Sequence, residues 1–257
     1  MARLILIEGI PGSGKTTLAT SLSSLLRADV PCACYLEGQS GHPAELEHHA
    51  CLTQAEYAAL CAGFPGQVAS LANHVRKEGD FLLVRYMENG APIFSGALLG
   101  RLRAREFRYA LSPRIPFAAY SAVSLSRWRG LAAEWAGKPG FLLLESAFLQ
   151  RPVQDLLLHY ALPDAEIIVF LQRAAEALRP LMPTLFYLAP ESVPATLSRI
   201  ARARNMPEMA YPDSIAFWAH RRELELAVLP VLPLCAHVLC NSGETPAETA
   251  NRMRELL

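Results

Sequence analysis

MARLILIEGIPGSGKTT, Met1 to Thr17, decides the fold. Leu4 to Ile7 is a short apolar run of branched residues, the composition of a strand buried on both faces. Gly9 to Thr16 spells G-x-x-x-x-G-K-T, and Leu18, Leu22, Leu25 and Leu26 then recur at helical spacing. Strand, glycine loop and helix follow in the order a phosphate-cradling loop requires. Gly9, Gly12 and Gly14 admit backbone angles that a Cβ forbids, so successive N–H groups turn inward onto an anion. The helix that follows adds the partial positive charge of its N-terminus. The pattern assigns the cradle to Gly9, Pro11, Gly12, Ser13, Gly14, Lys15, Thr16 and Thr17. Lys15 is expected at the β- and γ-phosphates of a nucleoside triphosphate, and the Thr16 hydroxyl on Mg²⁺.

The remaining composition narrows the class. The chain has 257 residues, 52% hydrophobic and 19% charged, enough apolar content for a sizeable core. Its formal net charge is +0, so no global field points to nucleic acid or to an acidic membrane. Six cysteines lack paired C-x-x-C spacing, which argues for reduced thiols rather than zinc. No stretch reaches the ~18 uninterrupted apolar residues of a membrane span. The opening apolar run is too short for a secretory leader. The expectation is a cytoplasmic protein.

Beyond the first helix, Pro31 to Leu36 (PCACYL) reads as a second strand that ends in Glu37-Gly38. Open parallel sheets bind ligands at the carboxyl ends of their strands, which puts Glu37 on the same edge as the glycine loop. A carboxylate there is a candidate base for a substrate hydroxyl. A solvated strand-end acid is the plainer alternative. His42, in the turn-like QSGHP segment, is a lone candidate substrate contact. Glu45 to about Val75 is mostly helical in pattern. Phe81 to Phe94 then predicts a hairpin around Asn89-Gly90. The region from about 45 to 135 reads as an insertion in a single domain. Within it, RLRAREFR from Arg101 to Arg108 is either a solvated helix face or, through Arg101, Arg105 and Arg108, a contact for an anionic substrate.

Phe141 to Leu144 predicts the third strand, closed by Glu145. A carboxylate at that position is expected to hold Mg²⁺ beside the Thr16 hydroxyl. Ser146, Gln150 and Arg151 follow toward the next helix, with Arg151 a candidate anion contact. Thr184 to Leu188 is the fourth strand. A lid is expected at about 195 to 215, where RIARAR supplies Arg199, Arg202 and Arg204. Arginine binds phosphate oxygens bidentately and keeps its charge. Arg199 is assigned to the nucleotide, and Arg202 and Arg204 to charge on the transferring group, an effect of about 10³–10⁵ in rate where such residues act. His237 to Cys240 predicts the last strand. Asn241-Ser242-Gly243 is expected to border the adenine, and Thr245 to Glu248 a capping box.

Taken together, GIPGSGKTT, YLEG, LLLES and the arginine-rich RIARAR resemble the nucleoside and nucleotide kinase branch of P-loop proteins. The resemblance implies that Glu37, closing strand two, acts as base on the hydroxyl that receives phosphate. It implies that Glu145, closing strand three, helps hold Mg²⁺. Deoxynucleoside kinases follow that glutamate with Arg and Ser, whereas here Ser146 follows directly. The chain also resembles bacterial P-loop ATPase or kinase-like proteins through Leu36 to Pro43 (LEG…HP) and Glu145 to Pro152 (ESAFLQRP).

The fold expected is α/β: a central parallel sheet of about five strands flanked by helices, with a helical and hairpin insertion and an arginine-bearing lid. The function expected is Mg-dependent transfer of the ATP γ-phosphoryl group to a hydroxyl of a small molecule, with an antibiotic or toxin-like metabolite as one possible acceptor class. The alternative is a nucleotide-gated regulatory ATPase with no such acceptor.

Overall fold

The computed structural model describes residues 2–39, 41–108, 115–240 and 243–257. The chain divides into two compact units, one of residues 1–43, 131–154 and 163–257, the other of residues 44–130 and 155–162. Among the described residues no helix is long and apolar enough to cross a membrane.

The first unit is built on five strands: β1 (Arg3–Gly9), β2 (Cys32–Tyr35), β3 (Phe141–Glu145), β4 (Thr184–Leu188) and β5 (Cys235–Leu239). They lie in the order β5-β4-β1-β3-β2, and every pairing is parallel. Leu4, Ile5, Leu6 and Ile7 are wholly buried, as the apolar run demands of a central strand covered on both sides. Helices that accompany the sheet include α1 (Lys15–Leu26), α2 (Gln150–Leu158), α3 (Asp164–Leu178), α4 (Val193–Arg204), α5 (Pro212–Val228) and α6 (Pro246–Glu255).

Side chains alternate across a strand, so β1 sends Ile5 and Ile7 to one face and Glu8 to the other. Ile5 and Ile7 join Leu143, Phe186 and Leu188 of the neighbouring strands, Leu18 and Leu22 of α1, and Met253 of α6 in one apolar cluster. The sheet order places β1 between β3 and β4, so the chain turns to opposite sides of β1 after its first strand. The carboxyl end of β1 is thus the switch point where an open α/β sheet forms its crevice. Strand order, parallel pairing and a glycine loop joining β1 to α1 make this a P-loop NTPase fold.

The expected strands at Pro31–Leu36, Phe141–Leu144, Thr184–Leu188 and His237–Cys240 are all present, with ends displaced by at most two residues. The capping box forms at α6, where the Thr245 hydroxyl accepts from the Glu248 amide and the Glu248 carboxylate accepts from the Thr245 amide. Asn241 and Ser242, expected near the adenine, lie outside the described residues.

The second unit departs from the helical reading of Glu45 to Val75. Strands His49–Thr53, Phe81–Arg85 and Val75–Glu78 make an antiparallel sheet with Phe81–Arg85 in the middle. Helices Gln54–Gly63 and Val68–Asn73 occupy only the interval between the outer two strands. Five- and four-residue strands are too short to show a period, and the partner of His49–Thr53 lies some thirty residues away. The Asn89-Gly90 hairpin forms, but it joins only Met87–Glu88 to Ala91–Pro92. Asn89 and Gly90 take φ of 48° and 78°, as a tight two-residue turn requires.

The basic run also acquires partners here. Helix Gly96–Arg103 ends before Arg105, which pairs with Glu56. Arg108 is buried, and its Nε donates to Asp155 Oδ2 at 2.9 Å. Tyr120 donates to the same oxygen at 2.9 Å.

Gly140 precedes β3 with φ +87°, and a Cβ there would stand 1.9 Å from the Pro31 carbonyl oxygen. That carbonyl accepts the Phe141 amide at 2.8 Å and so starts the β2–β3 pairing. Gly140→Ala is expected to cost about 2–4 kcal/mol through strain and displaced strands. Thermal unfolding should record it as a fall of about 5–15 °C in Tm.

Candidate active site

The glycine loop takes the conformation that its residue types permit. Gly9, Gly12 and Gly14 have φ of 141°, 81° and 97°, and Gly14 is the N-cap of α1. The Ser13 amide closes a turn onto the Ile10 carbonyl at 3.2 Å. Lys15 is buried, with Nζ 3.1 Å from the same carbonyl oxygen. Burial pulls its ammonium below the usual lysine range, against the attraction of Glu145, Glu37 and Glu8. Thr16 and Thr17 stand exposed on the first turn of α1.

Glu145 ties the loop to the sheet. It sits in register with Ile7 across β1 and β3 and is almost wholly buried. Its Oε1 accepts from the Thr16 hydroxyl at 3.2 Å and the Ser146 hydroxyl at 2.9 Å, and its Oε2 accepts from the Glu37 amide at 2.9 Å. Ser146 has φ 63°, a conformation costing a non-glycine residue about 1–3 kcal/mol, held by its amide on the Ile7 carbonyl at 2.9 Å. A hydroxyl and a carboxylate in contact at the start of α1 are hard oxygen donors of the kind Mg²⁺ takes. Gly9, Gly12 and Gly14, at positive φ, place no Cβ at their positions in the loop. The residues present fit a magnesium-bound polyphosphate.

Glu37 sits just past β2. From the first turn of α2, Gln150 Nε2 donates to its Oε1 at 2.9 Å and Arg151 Nη2 forms an ion pair with the same oxygen at 2.8 Å. Its Oε2 has no partner among the described residues. The side chain is about a third exposed. The expected anion contact Arg151 therefore faces a carboxylate of the protein. His42 is buried with its ring edge against Tyr35.

The three lid arginines fall in different places. Thr196 and Ile200 of α4 face the glycine loop closely enough that a Cβ on Gly12 would stand 2.6 Å from Ile200 Cγ1. Arg199 Nη2 donates to the Gly12 carbonyl at 2.8 Å. At 3.6 residues per turn Arg204 follows Ile200 by about one turn, whereas Arg202 lies on the opposite side of the helix. There it lines a surface groove of about 600 Å³ with Ser198, Ala201, Asn205, Pro207 and Ala210. Both Arg202 and Arg204 are exposed.

One group of charges escaped the sequence reading. Glu8 is wholly buried on the sheet face opposite Ile7. Its two carboxylate oxygens accept from the amides of Phe148 at 2.6 Å and Gln150 at 2.9 Å. Beside it in register, Tyr187 donates to Glu225 Oε2 at 2.7 Å, and the buried Arg221 donates to Glu225 Oε1 at 2.7 Å. Arg221 also stacks over Trp218, 4.7 Å from the ring centre. The available signal was a carboxylate directly after the apolar run Leu4–Ile7, and an Arg-x-x-x-Glu pair on α5.

No family model matches this chain, and no curated protein matches it. Among solved structures it is similar to the thymidylate kinase of Candida albicans. The identity is 13%, the match covers 99% of this chain and 90% of that one, and the TM-score is 0.43.

Burial raises the Glu8 carboxyl from 4.5 to about 7, with Glu225 adding to the rise and the Gln150 and Phe148 amides opposing it. A raised carboxyl stabilises the folded state fully below pH 4.5, and that contribution is lost as pH climbs to about 7. The stability of the wild type should therefore fall by about 3 kcal/mol over that interval. Glu8→Gln removes this titration, while Glu225, Tyr187, Arg221 and Lys15 still face the position. Its Tm should decline less steeply from pH 4.5 to 7.5, as differential scanning calorimetry would show.

Proposed function

We propose that the protein is a Mg-dependent phosphotransferase that moves the γ-phosphoryl group of ATP to a hydroxyl of a small molecule. The observation that carries this reading is the asymmetric hold on Glu37. Two donors fix Oε1 and orient the carboxylate, while Oε2 stays available to accept a proton. A general base needs both a fixed direction and an open lone pair.

In this reading the loop amides of Gly12 to Thr16 and the Lys15 ammonium bind the polyphosphate and orient its γ-phosphorus. Thr16 and Glu145 hold Mg²⁺, which when bound neutralises phosphate charge. Glu37 Oε2 takes the proton of the acceptor hydroxyl as that oxygen bonds to the γ-phosphorus. The bond from the γ-phosphorus to the bridging oxygen breaks, and ADP leaves. Lys15 offsets the charge that develops, helped by Arg199, Arg202 and Arg204 where the lid brings them to the phosphates. The acceptor class is open, and nucleosides and nucleotides are the first to try.

Mass spectrometry of a metabolite extract incubated with the protein and labelled ATP tests the reading. A newly labelled compound is the expected result. ADP formation without any phosphorylated product would favour the nucleotide-gated ATPase instead. Lys15→Ala is expected to lower acceptor phosphorylation by about 10²–10³ with little loss of Tm. Glu37→Gln should lower it by about 10²–10⁴ while sparing ATP binding measured by calorimetry.

A further inference from the structure

The first N–H groups of a helix have no acceptor within it. A side chain just before the helix ordinarily satisfies one or two of them, but α2 is preceded by Ala147, Phe148 and Leu149, which carry no acceptor. The acceptor comes from elsewhere in the fold. Glu8, 140 residues earlier in the chain, takes the Phe148 amide on one oxygen and the Gln150 amide on the other. A carboxylate suits the positive end of a helix. Burying one costs stability, however, and Leu4, Ile5, Leu6 and Ile7 show what β1 otherwise places in the core.

The consequence is felt on the far side of the same helical turn. Gln150 and Arg151 reach from it to Glu37 Oε1 at 2.9 and 2.8 Å. Glu8 therefore connects to Glu37 through two main-chain amides and two side chains, all in the first unit. Its neighbour Gly9 opens the phosphate loop, so one position on β1 sets both the loop's origin and the orientation of the α2 turn.

We propose that Glu8 is a positioning residue for Glu37: by clamping the Phe148 and Gln150 amides it fixes the turn from which Gln150 and Arg151 aim the Glu37 carboxylate. This inference rests on the base role proposed for Glu37, but its geometric half can be tested without any turnover.

The test combines spectroscopy with a mutant cycle. In Glu8→Gln the amide NH₂ opposes one of the two N–H donors, so one clamp is lost. At pH 8.5, ¹H–¹⁵N spectra of the wild type should show the Phe148 and Gln150 amides protected from exchange despite their place at a helix start. In Glu8→Gln these signals, and the side-chain NH₂ of Gln150, should move toward solvent-exposed values. An unmoved Gln150 side chain overturns the proposal whether or not any acceptor is phosphorylated. Should Glu8→Gln not fold, rapid exchange of those two amides in the wild type overturns it equally.

With an acceptor in hand, Glu8→Gln should lower kcat by about 10–100-fold, as loss of an orienting partner does, and leave the KM for ATP unchanged. Added to Gln150→Ala/Arg151→Ala, it should lower kcat no further, because the path it acts through is already cut. A full multiplicative loss in the triple variant would mean that Glu8 acts by a route other than Gln150 and Arg151, and would overturn the proposal.

Discussion

The contact between the Thr16 hydroxyl and Glu145 is the constraint on which the site depends. These groups are 129 residues apart, and they meet at 3.2 Å because β1 and β3 pair in parallel with Ile7 opposite Glu145. Glu145 uses its second oxygen on the Glu37 amide, so the end of β2 is drawn to the same point. Three strand ends and one helix start are thereby fixed around a single buried carboxylate. A hydrogen bond to a charged group contributes about 1.5–3 kcal/mol, and three of them explain how the left-handed Ser146 is tolerated beside it.

Charge is concentrated in this region at a cost that an apolar core would avoid. Lys15, Glu8, Arg221 and Glu225 are all buried. Their titration reflects the expense, with burial pulling Lys15 down and pushing Glu8 up. Each pairing offsets part of it: Arg221 with Glu225, Glu225 with Tyr187, Glu8 with two helix-start amides. Breaking one partner leaves an uncompensated charge behind, which makes such networks rigid. Rigidity is what a phosphate cradle requires, since it acts by holding dipoles in place.

The two units differ in how far local pattern sufficed to read them. Motif and strand in β1 lie within seventeen residues, so the loop and the strand before it can be read together. The inner strands of the parallel sheet, β1, β3 and β4, are buried on both faces and advertise themselves as apolar runs. His49–Thr53 and Val75–Glu78 are short and each borders a helix, so nothing within either segment separates a strand from a helix end. Their identity comes from Phe81–Arg85, which pairs with both. Arg105 and Arg108 illustrate the same limit, because the basic run gives no sign of Glu56 or Asp155.

The order of residues in the chain was enough to locate the glycine loop, the strands around it, and the acids at two strand ends, because each depends on neighbours a few positions away. Which atoms those acids would touch was settled by long-range pairing. Glu37 gained its oriented carboxylate from Gln150 and Arg151, and Glu8 became a helix clamp, only when β1, β2 and the turn after β3 came together. Arg199 and Arg202, three residues apart and so neighbours on the surface of α4, nonetheless have different surroundings, one reaching the glycine loop and the other lining a groove. A hydrogen bond depends on ångströms and angles. Those are fixed by the packed sheet rather than by any spacing along the chain.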